Sequence, residues 1–176
     1  MSAIEPAPLI DVIVEAPQWQ RSDAAAKVRR ALTEAAIATR VDFKDRTLAV
    51  LLTDDVSMRS LNAQWRGVDK PTNVLSFPPA PNTNLQADGM ASLGDIAIAY
   101  ETTAREAEAE GKPFDDHVAH LAVHGFLHLL GYDHHSAAAA ASMEQLERVI
   151  LARLGVPDPY LAHEEVAPHD LQGIRS

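Results

Sequence analysis

His124 and His128 stand four residues apart, Gly131 follows, and His134 lies three residues beyond it. In a helix a four-residue spacing places two side chains on one face, one turn apart. Glycine takes the left-handed conformation that ends many helices, so the chain can double back at Gly131 and bring His134 to the same point. Three imidazoles converging in this way would bind a metal and leave a fourth position open, the arrangement of a catalytic rather than a structural zinc. The competing interpretation is that His120, His124 and His128 are simply a polar helix face. Against it, the flanking residues Leu121, Ala122, Val123, Phe126, Leu127, Leu129 and Leu130 are apolar, which predicts a helix buried nearly all round. Buried histidines need partners, and a metal supplies one. His120, one turn upstream, is expected to pack beside the site rather than to ligate. His117 and His135 read as loop or rim residues, and His163 and His169 as solvated residues of an acidic tail.

A metal held by three neutral histidines keeps its double positive charge. It lowers the pKa of a bound water toward ~7 and polarises a carbonyl or phosphoryl oxygen. Both uses point to hydrolysis. The spacing matches the metzincin protease pattern H-E-x-x-H-x-x-G-x-x-H at His124, His128, Gly131 and His134, but Gly125 occupies the glutamate position. That glutamate is the general base of such proteases, and a positioned base typically contributes ~10²–10⁴-fold. A glycine cannot take or give a proton, so a metalloprotease-like hydrolase is disfavoured. Asp133 is a candidate proton donor, although its place next to His134 suits orienting a histidine or capping the turn.

The elements that must position these residues follow from the pattern. Leu9–Glu15 reads as a strand ended by Pro17. Ser22 or Asp23 caps a helix with Val28, Leu32, Ala35, Ala36 and Ile37 facing inward. The segment from Thr47 to Thr53 is a buried strand. Asp54 caps a helix with Met58, Leu61 and Trp65 on its inner face, stopped at Gly67. Val74–Phe77 is a short strand. Pro79–Ser92 is a polar, Pro- and Gly-containing loop expected to border the site and to be mobile. Gly94–Tyr100 is a strand, Glu101–Lys112 an acidic helix, and the histidine helix begins near Phe114. A last helix from Ser136 to Leu154 presents Met143, Leu146, Val149 and Ile150 inward. Strands crowd the first half and helices the second. This predicts an α+β fold, a single hydrolase domain over residues 1–155 with one mixed sheet covered by helices and a metal-binding helix. Residues 156–176 read as a poorly ordered C-terminal tail.

Composition narrows the function classes. The chain has 176 residues, enough for one domain with a real core, and no cysteine, which excludes disulfides and cysteine-based zinc or redox chemistry. Neither a signal peptide nor a run long enough to span a membrane is visible, so a cytoplasmic protein without a membrane partner is expected. The net charge of −10 opposes nucleic-acid binding at first sight. Its distribution is uneven: from Arg21 to Lys70 there are ten Lys/Arg against seven Asp/Glu, and elsewhere five against eighteen. Any basic surface must come mainly from the first half.

A second segment in that half bears on substrate. It runs Leu61-Asn62-Ala63-Gln64-Trp65-Arg66-Gly67-Val68-Asp69-Lys70-Pro71-Thr72-Asn73-Val74-Leu75-Ser76-Phe77. Arg66 ends a helix there, either as a planar fork suited to phosphate or as a cation favoured by the helix dipole alone. Taken together, the two segments and the intervening Leu93-Gly94-Asp95-Ile96 resemble the YbeY family of bacterial metal-dependent endoribonucleases. The family hallmark, His-Gly-x-Leu-His-Leu-x-Gly-Tyr-Asp-His, is present without mismatch from His124 to His134, and the block before Thr-Asn-Val-Leu-Ser-Phe aligns the family's functional arginine with Arg66. The motif-level likeness runs from about Leu61 to Leu151.

That resemblance implies a mixed sheet with helices, one Zn²⁺ bound by His124, His128 and His134, and Arg66 as the catalytic residue. It implies single-strand-specific RNA cleavage in 16S ribosomal RNA maturation, ribosome biogenesis and ribosome quality control. The implied partners are the 16S rRNA precursor, the small ribosomal subunit and assembly factors such as the Era GTPase, with no DNA. The acidic net charge suggests that docking on a ribosome supplies much of the targeting. The alternative from another class is a ribosome-assembly or adaptor protein whose metal is structural, disfavoured because structural zinc normally has four protein ligands.

Overall fold

The computed structural model describes residues 9–80 and 89–161. The strands are β1 (Leu9–Val14), β2 (Arg46–Thr53), β3 (Val74–Phe77) and β4 (Ala91–Ala99). The helices are α1 (Ala24–Thr39), α2 (Asp55–Arg66), α3 (Tyr100–Ala109), α4 (Phe114–Leu129) and α5 (Ala137–Arg153), with a short 3-10 turn over Pro17–Arg21. The element order and the α+β class are those the sequence predicts. The strand order is β1-β2-β4-β3. β1, β2 and β4 run parallel, and β3 joins the edge antiparallel to β4. The sheet is therefore mixed. Among the described residues no helix is long and apolar enough to cross a membrane.

Period-two alternation divides the strands between two cores. Leu48, Val50, Leu52, Ile96 and Ile98 face the larger one, where Val28 and Leu32 of α1, Val123 and Phe126 of α4, and Ile150 and Leu151 of α5 meet them. Leu75, Ala97 and Ala99 face the smaller one with Met58 of α2. Alanines on that face of β4 leave room for α2 to lie close to the sheet.

Helix ends follow capping chemistry. Asp54 accepts a hydrogen bond from Ser57 N at 2.8 Å, and Ser136 Oγ accepts one from Ala139 N at 3.0 Å, each satisfying an otherwise orphaned amide. At α1 the side chain that serves is Ser22, reached by Ala24 N at 3.3 Å; Asp23 holds the cap position without a side-chain bond.

Several inward-facing assignments shift. Ile37 is 58 % exposed, because it falls off the stripe of Val28, Leu32, Ala35 and Ala36 that meets the core. On α2 the buried positions are Met58 and Asn62, and Trp65 is 62 % exposed. Asn62 replaces the expected apolar contact because its amide donates to the Lys70 carbonyl at 2.8 Å, tying the following loop to the helix. On α5 the buried stripe is Met143, Glu147, Ile150 and Leu151, with Val149 40 % exposed. β4 begins at Ala91, before the expected strand, and Tyr100 already belongs to α3. Of the expected loop from Pro79 to Ser92, residues 81–88 lie outside the described residues, as do His163 and His169. The chain does not leave the domain at Gly155: Val156 and Pro159 are buried, and residues 162–176 are outside the described residues.

Candidate metal centre and cleft

α4 carries the site because its two sides face different surroundings. Leu121, Ala122, Val123, Phe126 and Leu127 are buried, while His124 and His128 sit half-buried on the remaining stripe. The helix lies close against the edge of the sheet at Gly125. A Cβ there would stand 3.1 Å from both Ile96 Cγ2 and Ser76 Oγ and 3.3 Å from Val74 Cγ2. Ser76 Oγ donates to the Gly125 carbonyl at 2.7 Å, fastening helix to strand. After Leu130 the chain turns at Gly131, with φ +98°, a conformation that costs a side-chain-bearing residue more than glycine. That turn returns the chain to the helix face: the His134 ring centroid is 5.1 Å from His124 and 5.3 Å from His128.

The three imidazoles predicted as ligands are thus brought together, with one nitrogen of each within 4.8 Å of the others. Their donor set fits a divalent metal. His128 Nδ1 lies 2.9 Å from the Tyr132 carbonyl oxygen, which can only accept, so the hydrogen resides on Nδ1. His124 Nδ1 lies 2.6 Å from Glu147 Oε1, which assigns its hydrogen to Nδ1 as well. The two Nε2 atoms then face each other as lone pairs at 3.0 Å. Like lone pairs at that distance repel, and a shared cation relieves the repulsion. Burial, together with the neighbouring His124, pushes the His128 pKa down despite the opposing bond to the Tyr132 carbonyl. His128 is therefore held neutral, the state in which imidazole binds metal.

Glu147 is the functional-site residue that the sequence reading missed. It is fully buried and accepts from three groups: His124, His120 Nε2 at 2.8 Å and the Tyr160 hydroxyl. Burial pushes its carboxyl pKa up, but the hydrogen bonds from His120, His124 and Tyr160 outweigh that and hold it at about 2. It is a carboxylate at neutral pH and fixes the His124 ring, as carboxylates behind metal-binding histidines do. His120, His124 and Glu147 form a second group able to hold a metal, although its nitrogens and oxygens are already paired with one another at hydrogen-bonding distance. His120 packs beside the site, as expected. Tyr160, from the segment read as a tail, closes this side, with the Arg148 guanidinium 5.3 Å above its ring.

Other expectations sort as follows. His117 is buried in α4 rather than at a rim, its Nε2 2.8 Å from Glu106 Oε2. Glu106 also receives the Asn73 amide, pinning the start of β3. Asp133 accepts from His135 N at 3.0 Å and so caps the turn.

Arg66 ends α2 and lines a cleft of 420 Å³ together with Asn73, Ser76, Pro78, His124 and His128. A second hollow of 320 Å³ lies on the other side of His124 and reaches Tyr160. Arg66 is exposed. No hydrogen bond or ion pair to another described residue occupies its guanidinium, so its fork is free to receive an anion.

Comparison with known proteins places the chain in a family. The family profile described as Endoribonuclease YbeY matches residues 12–155. A protein named Endoribonuclease YbeY from Rhodopseudomonas palustris (strain BisA53) is 56 % identical over 172 residues, 97 % of this chain and 98 % of the relative. The Endoribonuclease YbeY of Bradyrhizobium sp. (strain BTAi1 / ATCC BAA-1182) is 54 % identical over 164 residues, covering 92 % and 97 % of the two chains. The solution structure of TM1509 from Thermotoga maritima superposes with a TM-score of 0.54 at 20 % identity, over 83 % of this chain and 91 % of that one, a likeness of fold.

Proposed function

Because this chain belongs to the endoribonuclease YbeY family, we propose that it is a zinc-dependent endoribonuclease, specific for single-stranded RNA, that acts in 16S rRNA maturation and ribosome quality control. The observation that carries the reading is that Arg66 and two of the three clustered histidines line one cleft. A cation site and an arginine lining one cleft are what a phosphodiester undergoing hydrolysis requires.

In this reading His124, His128 and His134 hold the metal, which supplies a water activated near neutral pH and a Lewis acid. Glu147 keeps His124 in the tautomer that presents Nε2 to the cleft. Arg66 binds the scissile phosphate and meets the negative charge that develops there. Its planar fork engages two oxygens at once, which lysine cannot do. Gly125 provides no acid or base, and its position against the sheet keeps that part of α4 out of the cleft. The family resemblance extends the proposal to partners: the 16S rRNA precursor, the small ribosomal subunit and assembly factors such as the Era GTPase, in the cytoplasm.

The test is cleavage of an unstructured RNA and of the same sequence in duplex, by protein carrying one equivalent of zinc and by chelator-treated protein. Cutting of the single strand only, dependent on zinc and absent in His128→Ala, is the expected result. Metal-independent cutting, or equal cutting of both strands, would overturn it.

A further inference from the structure

We propose that the indole of Trp65 is a stacking platform for a nucleobase next to the phosphate held by Arg66. The inference rests on the endoribonuclease reading and adds a substrate-binding residue to it. The chain has nine aromatic residues, all within the described segments, and Trp65 alone is exposed, at 62 %. The other tryptophan, Trp19, is 2 % exposed and donates from its ring nitrogen to the Thr53 carbonyl.

Trp65 is also positioned for the task. It sits in the last turn of α2, beside Arg66. Its ring leans on Phe77 with centroids 5.0 Å apart at 59°, on the side of the sheet that packs with α2; neither ring lines the cleft, which Trp65 adjoins through Arg66, the next residue of the helix. Phe77 thus supports one part of the indole while most of it stays open to solvent.

Charge makes such a contact necessary. Proteins usually hold single strands by a basic groove together with aromatic stacking. Here the net charge is −10, and two arginines of the α2 region are engaged by carboxylates, Arg59 by Asp69 at 2.8 Å and Arg105 by Asp55 at 3.1 Å. A chain with so little electrostatic pull needs a contact that does not depend on charge. Stacking also requires an unstacked base with a free face, which a single strand offers and a duplex interior does not.

The experiment uses the zinc-loaded full chain and an unstructured RNA of about 12 nucleotides, within the range that such sites cover. Excitation of tryptophan on rapid mixing, before cleavage, should show quenching that disappears in Trp65→Phe, since Trp19 is shielded. Trp65→Ala should raise KM roughly tenfold, the scale of losing one stacked base, with kcat within about twofold; Trp65→Phe should restore most of the loss. An oligonucleotide of the same length without bases should be bound alike by wild type and Trp65→Ala. Wild-type KM in Trp65→Ala, with RNA still cut, would overturn the stacking role and leave the endoribonuclease reading standing. Fluorescence that follows protein concentration rather than RNA would show that a second copy covers the indole, and would overturn it too. No cutting by the zinc-loaded wild type would overturn both.

Discussion

The two ring nitrogens of His124 face opposite surroundings. Nδ1 meets Glu147, a carboxylate with no exposed surface whose oxygens are shared among His124, His120 and Tyr160. Nε2 meets His128 across 3.0 Å, at the edge of an open cleft lined also by Arg66, which has no ion-pair partner among the described residues. One side is closed, with both Glu147 oxygens paired and only His120 Nδ1 left without a partner among the described residues; the other is open and short of a partner. A buried carboxylate whose oxygens are paired rigidifies the groups that donate to it. The rigid side therefore holds the ligand orientation, and the open side is where binding and reaction can occur. A site built this way does not need the metal to hold the ring in place.

The largest break in this contrast should come from the open side. His128→Ala removes a ligand and should reduce RNA cleavage by ~10³-fold or more, the scale of losing catalytic metal chemistry, with bound zinc falling well below one equivalent by elemental analysis. Arg66→Ala should lose ~10²-fold or more in cleavage, as removal of one charge-stabilising group does, while zinc content and Tm stay at wild-type values. Arg66→Lys should recover only part of the loss. If Arg66→Ala cuts RNA at the wild-type rate, or fails to fold, the arginine is structural.

The closed side should respond differently. Glu147→Gln keeps the shape but offers one acceptor oxygen where three donors converge, so zinc affinity should fall ~10–100-fold, read by competition with a chromogenic chelator. Unchanged affinity would mean that Glu147 supports the fold alone. Tyr160→Phe removes one of the three donors and should be the mildest change. The loss of a single hydrogen bond to a charged acceptor amounts to about 1.5–3 kcal/mol, seen as a lowered Tm with zinc affinity unchanged. A Tyr160→Phe effect on zinc as large as that of Glu147→Gln would erase the distinction between the two sides.

These differences also mark what could be read from the sequence. The clustering on the open side was legible because His124, His128 and His134 lie within eleven consecutive residues, two of them one helical turn apart and the third beyond a glycine turn. Arg66 was nameable from its motif, and the cleft adds that it shares a wall with the histidines. Glu147 was not legible. It lies 23 residues beyond His124 on another helix, and the inward face of α5 was drawn through Met143, Leu146 and Ile150, which do pack on the core, and through Val149, which is exposed, with Glu147 left off it. A signal was available: Met143, Ile150 and Leu151 are all apolar, and the stripe they define passes through position 147. A glutamate on such a stripe is costly unless paired, and a histidine is one of the few partners a buried carboxylate can find. Trp65 was placed inward because an aromatic residue at helical spacing usually is; Asn62 took that place through its bond to Lys70. Strand order stayed out of reach, because β3 joins β4 across the sheet edge and pairing between strands leaves no local mark in the chain.

The close seat of α4 on the sheet has a consequence for evolvability. The Cβ contacts of 3.1–3.3 Å at Gly125 come from Ile96, Ser76 and Val74, three side chains on two strands of the sheet rather than the free end of a surface side chain. A glutamate at that position, the single change that would complete a protease signature, has no space between helix and sheet. To admit it, α4 would have to lift from β3 and β4, breaking the Ser76 bond and disturbing the histidines it carries. The two chemistries are one codon apart on paper and separated by a repacked interface in the folded chain. Gly125→Glu should therefore yield an unstable protein with disordered histidines, not a peptidase.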